Sequence, residues 1–125
     1  MRLRDMSVFL SVLVFAAVLL SAPGVMAAGP EPVTPEEGKK MVQQQKDLVV
    51  LDVRNPNEYV AAHYPEALNI PVNELETRFS EIPNGKPVLA YCARGVRSAR
   101  ACEILKEKRP DIKELYFING APIFE

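Results

Sequence analysis

Pro87-Val-Leu-Ala-Tyr91 runs straight into Cys92-Ala-Arg-Gly-Val-Arg-Ser98, and this stretch decides how the chain is read. The first five residues form a strand-like apolar run. Residues 98 to 108 have the character of a helix, which Pro110 ends. A cysteine at the carboxyl end of a strand, followed by a short loop with Gly and Arg that opens a helix, makes a thiolate or anion site. The unpaired N–H groups of the loop and first helical turn converge on one point and favour negative charge there. Arg94 and Arg97 add positive potential.

Outward from this stretch the chain alternates. Thr34-Pro35-Glu36-Glu37 is a helix start, with a capping hydroxyl, proline at the first helical position and acid in the first turn. The helix is expected to reach about Gln45, weakened at Gly38 by about 1 kcal/mol relative to alanine. Leu48 to Val53 is a near-continuous apolar run, the pattern of a parallel strand covered on both faces. Asn55-Pro56 leads into a short helix at about 57 to 62, and Ala67 to Ile70 is a second short strand stopped by Pro71. A helix capped by Asn73 is expected to run to Phe79, and Lys113 to Ile118 is the last strand. Helices alternating with strands define an α/β domain, in which ligands bind beyond the carboxyl ends of the strands. Asp52 and Arg54 end one such strand and Cys92 follows another, so charged and nucleophilic residues share one edge. His63, in the connection after the Asp52 strand and its helix, is able to approach the same edge.

The loop chemistry follows from its residues. A helix N-terminus and nearby cations lower a cysteine pKa from about 8.5 by one to several units. Such a thiolate attacks sulfur, phosphorus or arsenic, and can hold a sulfane sulfur as a persulfide. Gly95 lets the backbone turn with its N–H groups inward. Ser98 is suited to cap the helix and offer a hydroxyl to a bound anion. Arg94 and Arg97 lie three positions apart, so one can face an anionic substrate while the other braces the loop; spacing does not say which. Asp52 is read as a structural brace of the loop, or as forming with Arg54 and Glu58 a surface ion-pair group. His63, the single histidine, is read as a structural hydrogen-bonding residue. Cysteine phosphatases use Cys-x5-Arg, but Ser98 occupies the position of that arginine and Arg97 falls one residue early. The smaller cradle suits a sulfur atom better than a tetrahedral phosphate.

The bulk sequence sets the outer limits. The 125 residues allow one small domain. Arg2 and Arg4, the apolar run Ser7 to Ala22, and Val25-Met-Ala27 make residues 1–27 a secretory signal, with an uncleaved anchor as the alternative. Residues 28–32 then form a flexible lead-in and 33–125 the folded domain, a periplasmic or secreted protein without stable membrane association once cleaved. Without residues 1–27 the chain carries 13 Lys and Arg against 15 Asp and Glu, so nucleic acid is a poor partner. Cys92 and Cys102 could pair, but Cys102 falls on the packed side of the helix and is read as a buried small hydrophobe. One histidine and a buried second cysteine leave no ordinary metal-ligand set. Oligomeric state is not set by the sequence, and a monomer is the default expectation.

Three segments together resemble the rhodanese domain family, in particular its small single-domain exported thiosulfate sulfurtransferases of bacteria. Leu51-Asp-Val-Arg-Asn-Pro-Asn-Glu-Tyr59 is similar to the family's Asp-Val-Arg with a following Glu-Tyr or Glu-Phe. His63-Tyr-Pro-Glu-Ala-Leu-Asn-Ile-Pro71 resembles its His-Ile-Pro-Gly-Ala-x-Asn-Ile-Pro, and Tyr91 to Ser98 resembles its six-residue catalytic loop with a closing serine. The resemblance implies a three-layer α/β domain with a central, mostly parallel sheet flanked by helices. It implies that Cys92 takes a sulfane sulfur from a donor such as thiosulfate and passes it to cyanide or a thiol. Ala93, Arg94, Gly95, Val96, Arg97 and Ser98 would bind the substrate, with no cofactor or metal. A persulfide carrier or binding module would use the same loop. Two departures bear on turn geometry: Ala62 and Glu66 stand where the family has glycine. A third is the absence of the family's C-terminal helix after Asn119-Gly120, which is expected to leave apolar sheet surface less covered.

Overall fold

The computed structural model describes residues 29–125, so the expected signal segment lies outside the described residues. Thr34 opens the first helix, α1 (Pro35–Gln44), with its hydroxyl accepting from Glu37 N–H while the Glu37 carboxylate accepts from Thr34 N–H. The apolar runs become β2 (Val49–Asp52), β4 (Val88–Tyr91) and β5 (Leu115–Ile118), with the two-residue β3 at Leu68–Asn69. Between them lie α2 (Pro56–Ala61), α3 (Leu75–Arg78) and α4 (Val96–Lys108). A further strand, β1 (Glu31–Val33), pairs parallel with β5 and takes residues 31 and 32 out of the expected flexible lead-in. Its partner is some 85 residues away in sequence, and Pro32 is tolerated because β1 is an edge strand.

All pairings are parallel, in the order β1-β5-β4-β2-β3. In β2 and β4 successive side chains go to opposite faces. Leu51, Val88 and Ala90 join Leu75, Ala101, Cys102 and Leu105 on one side. Val50, Leu89 and Tyr91 join Tyr64, Ile118 and, from α1, Met41 and Val42 on the other. The result is three layers. Gly38 does more than weaken α1: a Cβ there would lie 2.6 Å from Ile118 Cδ1, so glycine lets the helix approach β5.

The helix expected over 73–79 is a succession of 3-10 turn (Val72–Glu74), α3 and 3-10 turn (Phe79–Glu81), and Asn73 is not its cap. Arg109, at the end of α4, is buried; its guanidinium donates to the carbonyls of Phe79 and Ile82 and pairs with Asp111. No helix follows β5 among the described residues, yet the sheet face is not bare. Phe124 packs edge-on against Tyr64 and Tyr91, at 5.0 and 5.7 Å between ring centroids, and Ile123 N–H donates to the Tyr64 hydroxyl.

What this topology positions is one crevice. From β2 the chain passes through α2 outward to β3, whereas from β4 it passes through α4 outward to β5 on the other side. The neighbours β2 and β4 thus send their connections apart, which opens a cleft beyond their carboxyl ends. Asp52 and Cys92 stand at that point.

Candidate active site

Cys92 leaves the buried strand β4 and is itself 1% exposed. Gly95, at φ 115°, turns the chain into α4 and holds the capping position, so the helix starts at Val96 and not at Ser98. A left-handed turn of this kind is available to glycine, and a Cβ would also stand 3.1 Å from Ile118 O and Gly120 N. The turn brings N–H groups onto the sulfur: Gly95 N lies 3.0 Å and Ser98 N 3.4 Å from Cys92 Sγ.

Burial is the largest single influence on the thiol and raises its pKa. It is outweighed by the Ser98 hydroxyl and by the backbone N–H groups of Ser98, Arg94 and Gly95, so Cys92 lies below the ordinary cysteine value. The loop's own donors are the largest lowering influences, and the Arg97 charge also interacts with the sulfur. Ser98 is buried and does not face the pocket. Its hydroxyl lies 3.5 Å from Sγ and donates to the Gly95 carbonyl at 3.1 Å, and Gly95 rather than Ser98 holds the expected capping position. A hydroxyl rotor can turn its proton to sulfur once the thiolate forms.

Cys92 opens into a shallow pocket of about 180 Å³ lined by Ala93, Arg94, Val96 and Arg97. Its size fits a few-atom anion and is below the ~300–1,000 Å³ of drug-sized sites. A larger hollow of about 500 Å³, between Val42, Leu48, Pro65 and Glu81, contains no residue of the loop. The structure divides the two arginines. Arg97 donates to both oxygens of Glu58 on α2, at 3.0 and 3.4 Å, and this hydrogen bonding holds Glu58 below the usual carboxylate range. Glu58 Oε1 also accepts from Asn55 N–H at the start of α2, so the pair ties the two helix starts across the cleft. Arg94 is exposed on the pocket rim.

Asp52 and Arg54 form no surface group with Glu58. Asp52 is fully buried and binds Arg54 through both oxygens, at 2.9 Å to Nε and 2.7 Å to Nη2. Arg54 also donates to the Ala62 carbonyl and lies between the Tyr91 and Phe124 rings, 5.3 and 5.2 Å from their centroids. The hydrogen bonds that Arg54 donates to Asp52, with the neighbouring charge, outweigh burial and raise the Arg54 pKa. The pair therefore braces the chain after α2 rather than the loop itself. The link to the loop is the ladder bond from Val53 N–H to Tyr91 O. Asn69, not anticipated as a brace, donates from its amide to the carbonyls of Asp52 and Arg54.

His63 is exposed and stacks on Tyr59 at 3.8 Å, with Nδ1 2.7 Å from the Tyr59 carbonyl. None of its hydrogen bonds reaches the loop. Both cysteines are free thiols. Cys102 is buried, donates to the Tyr116 carbonyl at 3.4 Å and is pushed up to about 12 by burial. Among the described residues no cluster of three or more His, Cys, Asp or Glu side chains comes together.

This geometry can be set beside known proteins. Residues 34–121 match the rhodanese-like domain model. The chain belongs to the rhodanese family. A sulfurtransferase of Allochromatium vinosum is 36% identical over 63 residues, which cover 50% of this chain and 59% of that protein. The thiosulfate sulfurtransferase GlpE of Coxiella burnetii is 31% identical over 77 residues, 62% of this chain and 70% of the relative. The chain spans little more than half the length of the first curated relatives it matches, 55% for YqhL of Bacillus subtilis at 41% identity. The fold matches the crystal structure of a rhodanese-related protein from Thermoplasma volcanium with a TM-score of 0.62 and 25% identity, covering 73% of this chain and 85% of that one. The three-layer α/β rhodanese fold expected from the sequence is thus the fold of the chain.

Proposed function

We propose that this rhodanese-family chain is a thiosulfate sulfurtransferase working through a Cys92 persulfide. The observation that carries the reading is the convergence of Gly95 and Ser98 N–H groups on a lowered-pKa sulfur at the floor of a small pocket with Arg94 on its rim. Arg94 attracts the anionic donor. The Cys92 thiolate attacks the outer sulfur of thiosulfate, a new S–S bond forms, and sulfite leaves with the electron pair of the broken bond. The persulfide carries its charge on the outer sulfur, under the loop amides. Cyanide or a thiolate then attacks that sulfur and returns Cys92 as thiolate. The thiosulfate sulfurtransferase name of the Coxiella burnetii relative supports the choice of donor.

A mass spectrum of the protein before and after thiosulfate tests this. One sulfur is expected on the wild type and none on Cys92→Ala, with thiocyanate released when cyanide is added. No sulfur at Cys92 would overturn the enzyme and carrier readings together, whereas loading without thiocyanate turnover would leave a carrier. Aryl-phosphate turnover dependent on Cys92 would point to a phosphatase instead. We further propose that the protein acts outside the cytoplasm, because Arg2, Arg4, the apolar run Ser7 to Ala22 and Val25-Met-Ala27 have the order of a secretory signal. The same spectrum of protein taken from the cell envelope would show a chain beginning near Ala28; an intact N-terminus would overturn cleavage.

A further inference from the structure

The rim of the Cys92 pocket carries more than a small anion needs. Val96, the first residue of α4, lines the pocket and is 80% exposed, one of two large apolar residues so displayed among the described residues. Arg100 is exposed one turn later, on the same face of the helix as Val96 and roughly 6 Å further along its axis. A few-atom donor held at the sulfur would not span that distance. Arg94 and Arg97 line the mouth, Arg97 already engaged by Glu58, and Arg100 stands one helical turn beyond it. Among the described residues no carboxylate lies within ion-pair distance of Arg94 or Arg100. The next acidic residue on this face, Glu103, follows a turn beyond Arg100. The mouth is therefore cationic with an exposed apolar centre, in a chain whose formal net charge is −1.

We infer that the sulfur acceptor is a protein thiol set among acidic residues, docking over Val96 between Arg94 and Arg100. This rests on the proposed sulfurtransfer and names its acceptor. A surface that pairs complementary charge around an apolar contact steers encounter and selects its partner. A thiol delivered by a macromolecule would cover Val96, while Arg94 and Arg100 meet carboxylates on either side. The acceptor thiolate attacks the outer sulfur of the Cys92 persulfide. A new S–S bond forms on the acceptor, the bond to Cys92 breaks, and Cys92 leaves as thiolate with that electron pair. No further oxidant or reductant is consumed.

The test separates loading from discharge. Protein is loaded with thiosulfate until the mass spectrum shows one added sulfur, then freed of donor. It is offered cysteine peptides of equal length flanked by acidic, neutral or basic residues, and sulfur arriving on each peptide is timed. The acidic peptide is expected to discharge the persulfide at least tenfold faster than the basic one at low salt, with the gap closing as salt rises. Arg100→Glu is expected to remove or reverse that preference, and Arg100→Lys to keep most of it, while both discharge to cyanide at the wild-type rate. Equal rates for acidic and basic peptides, or an unchanged preference in Arg100→Glu, would overturn the acceptor assignment while leaving sulfurtransfer standing. A chain that never gains sulfur would remove sulfurtransfer and the acceptor with it.

Discussion

Cys92 and Cys102 lie ten positions apart, both essentially without solvent exposure, and their environments push them in opposite directions. Cys92 is met by N–H groups that have no helical partner, because they belong to a loop and a first turn. Cys102 lies inside α4, where every backbone N–H is spent on the helix, and its thiol finds only a carbonyl to donate to. Burial acts on both and would raise both. The difference is the supply of unspent donors, which the backbone conformation of Gly95 creates. The acidity of these two thiols thus follows where the helix begins.

The largest expected effect breaks the comparison outright. Cys92→Ser should reduce sulfur uptake from thiosulfate by about a thousandfold or more, and Cys102→Ala by less than tenfold, about 1.4 kcal/mol of barrier. Equal losses in single-turnover measurements would mean that the two thiols act together. Gly95→Ala comes next, because it removes the source of the donors. Its Cβ would stand 3.1 Å from Ile118 O and Gly120 N at a φ of 115°. We expect at least a tenfold loss of transfer and about 2 kcal/mol of stability, read from urea unfolding. Wild-type transfer in that variant would show that the turn does not set the thiolate.

The third effect concerns pH, and the two cysteines should show opposite signs. Alkylation of Cys92 by iodoacetamide should show a midpoint below that of the same cysteine in the unfolded chain, and Ser98→Ala should move it upward. Cys102 should stay unmodified while the chain is folded. For stability the signs follow from proton binding. The folded chain holds fewer protons at Cys92 than the unfolded chain between the lowered and ordinary pKa, so stability rises with pH through that window. At Cys102 it holds more between ~8.5 and about 12, so stability falls as pH climbs through that range. Cys102→Ala should remove that alkaline loss, and an unchanged slope above pH 9 in unfolding curves would contradict the assignment.

The sequence shows the α/β alternation because β2 and β4 are covered on both faces and so read as continuous apolar runs. The Cys92 loop was legible for the same reason: strand, glycine and helix start are all local signals. What escaped was non-local or depended on direction. β1 is three residues long, includes a proline, and exists only through β5. Arg54 looked suited to Glu58 by helical spacing, but it lies at a strand end, where Asp52 two positions earlier shares its side. Glu58 is claimed by Arg97, 39 positions away, a pairing that only the crossing of two helix starts produces. Ser98 suits a cap because serine favours caps, whereas Gly95 has already begun the helix.

The smallest effect tests whether strain is confined to places that can bear it. Gly95 and Glu66 both take a positive φ, and the two positions are filled differently. Gly95 takes 115°, and Glu66, where the family's glycine stood in the resemblance, takes 63°. Ala62, the other departure, is at φ −166°, extended backbone that any residue adopts, so no glycine is needed there. A non-glycine residue in the left-handed region costs about 1–2 kcal/mol. Glycine would relieve this but lose more freedom on folding, which offsets part of the gain. Glu66→Gly should therefore stabilise the chain by about 0.5–1 kcal/mol, or a few degrees in melting temperature for a domain of this size. Sulfur uptake should be unchanged, because Glu66 is exposed and makes no hydrogen bond to the loop. A variant both more stable and slower at transfer would mean that the strain at Glu66 reaches Cys92, and the loop would then not be self-sufficient in the way its own N–H donors imply.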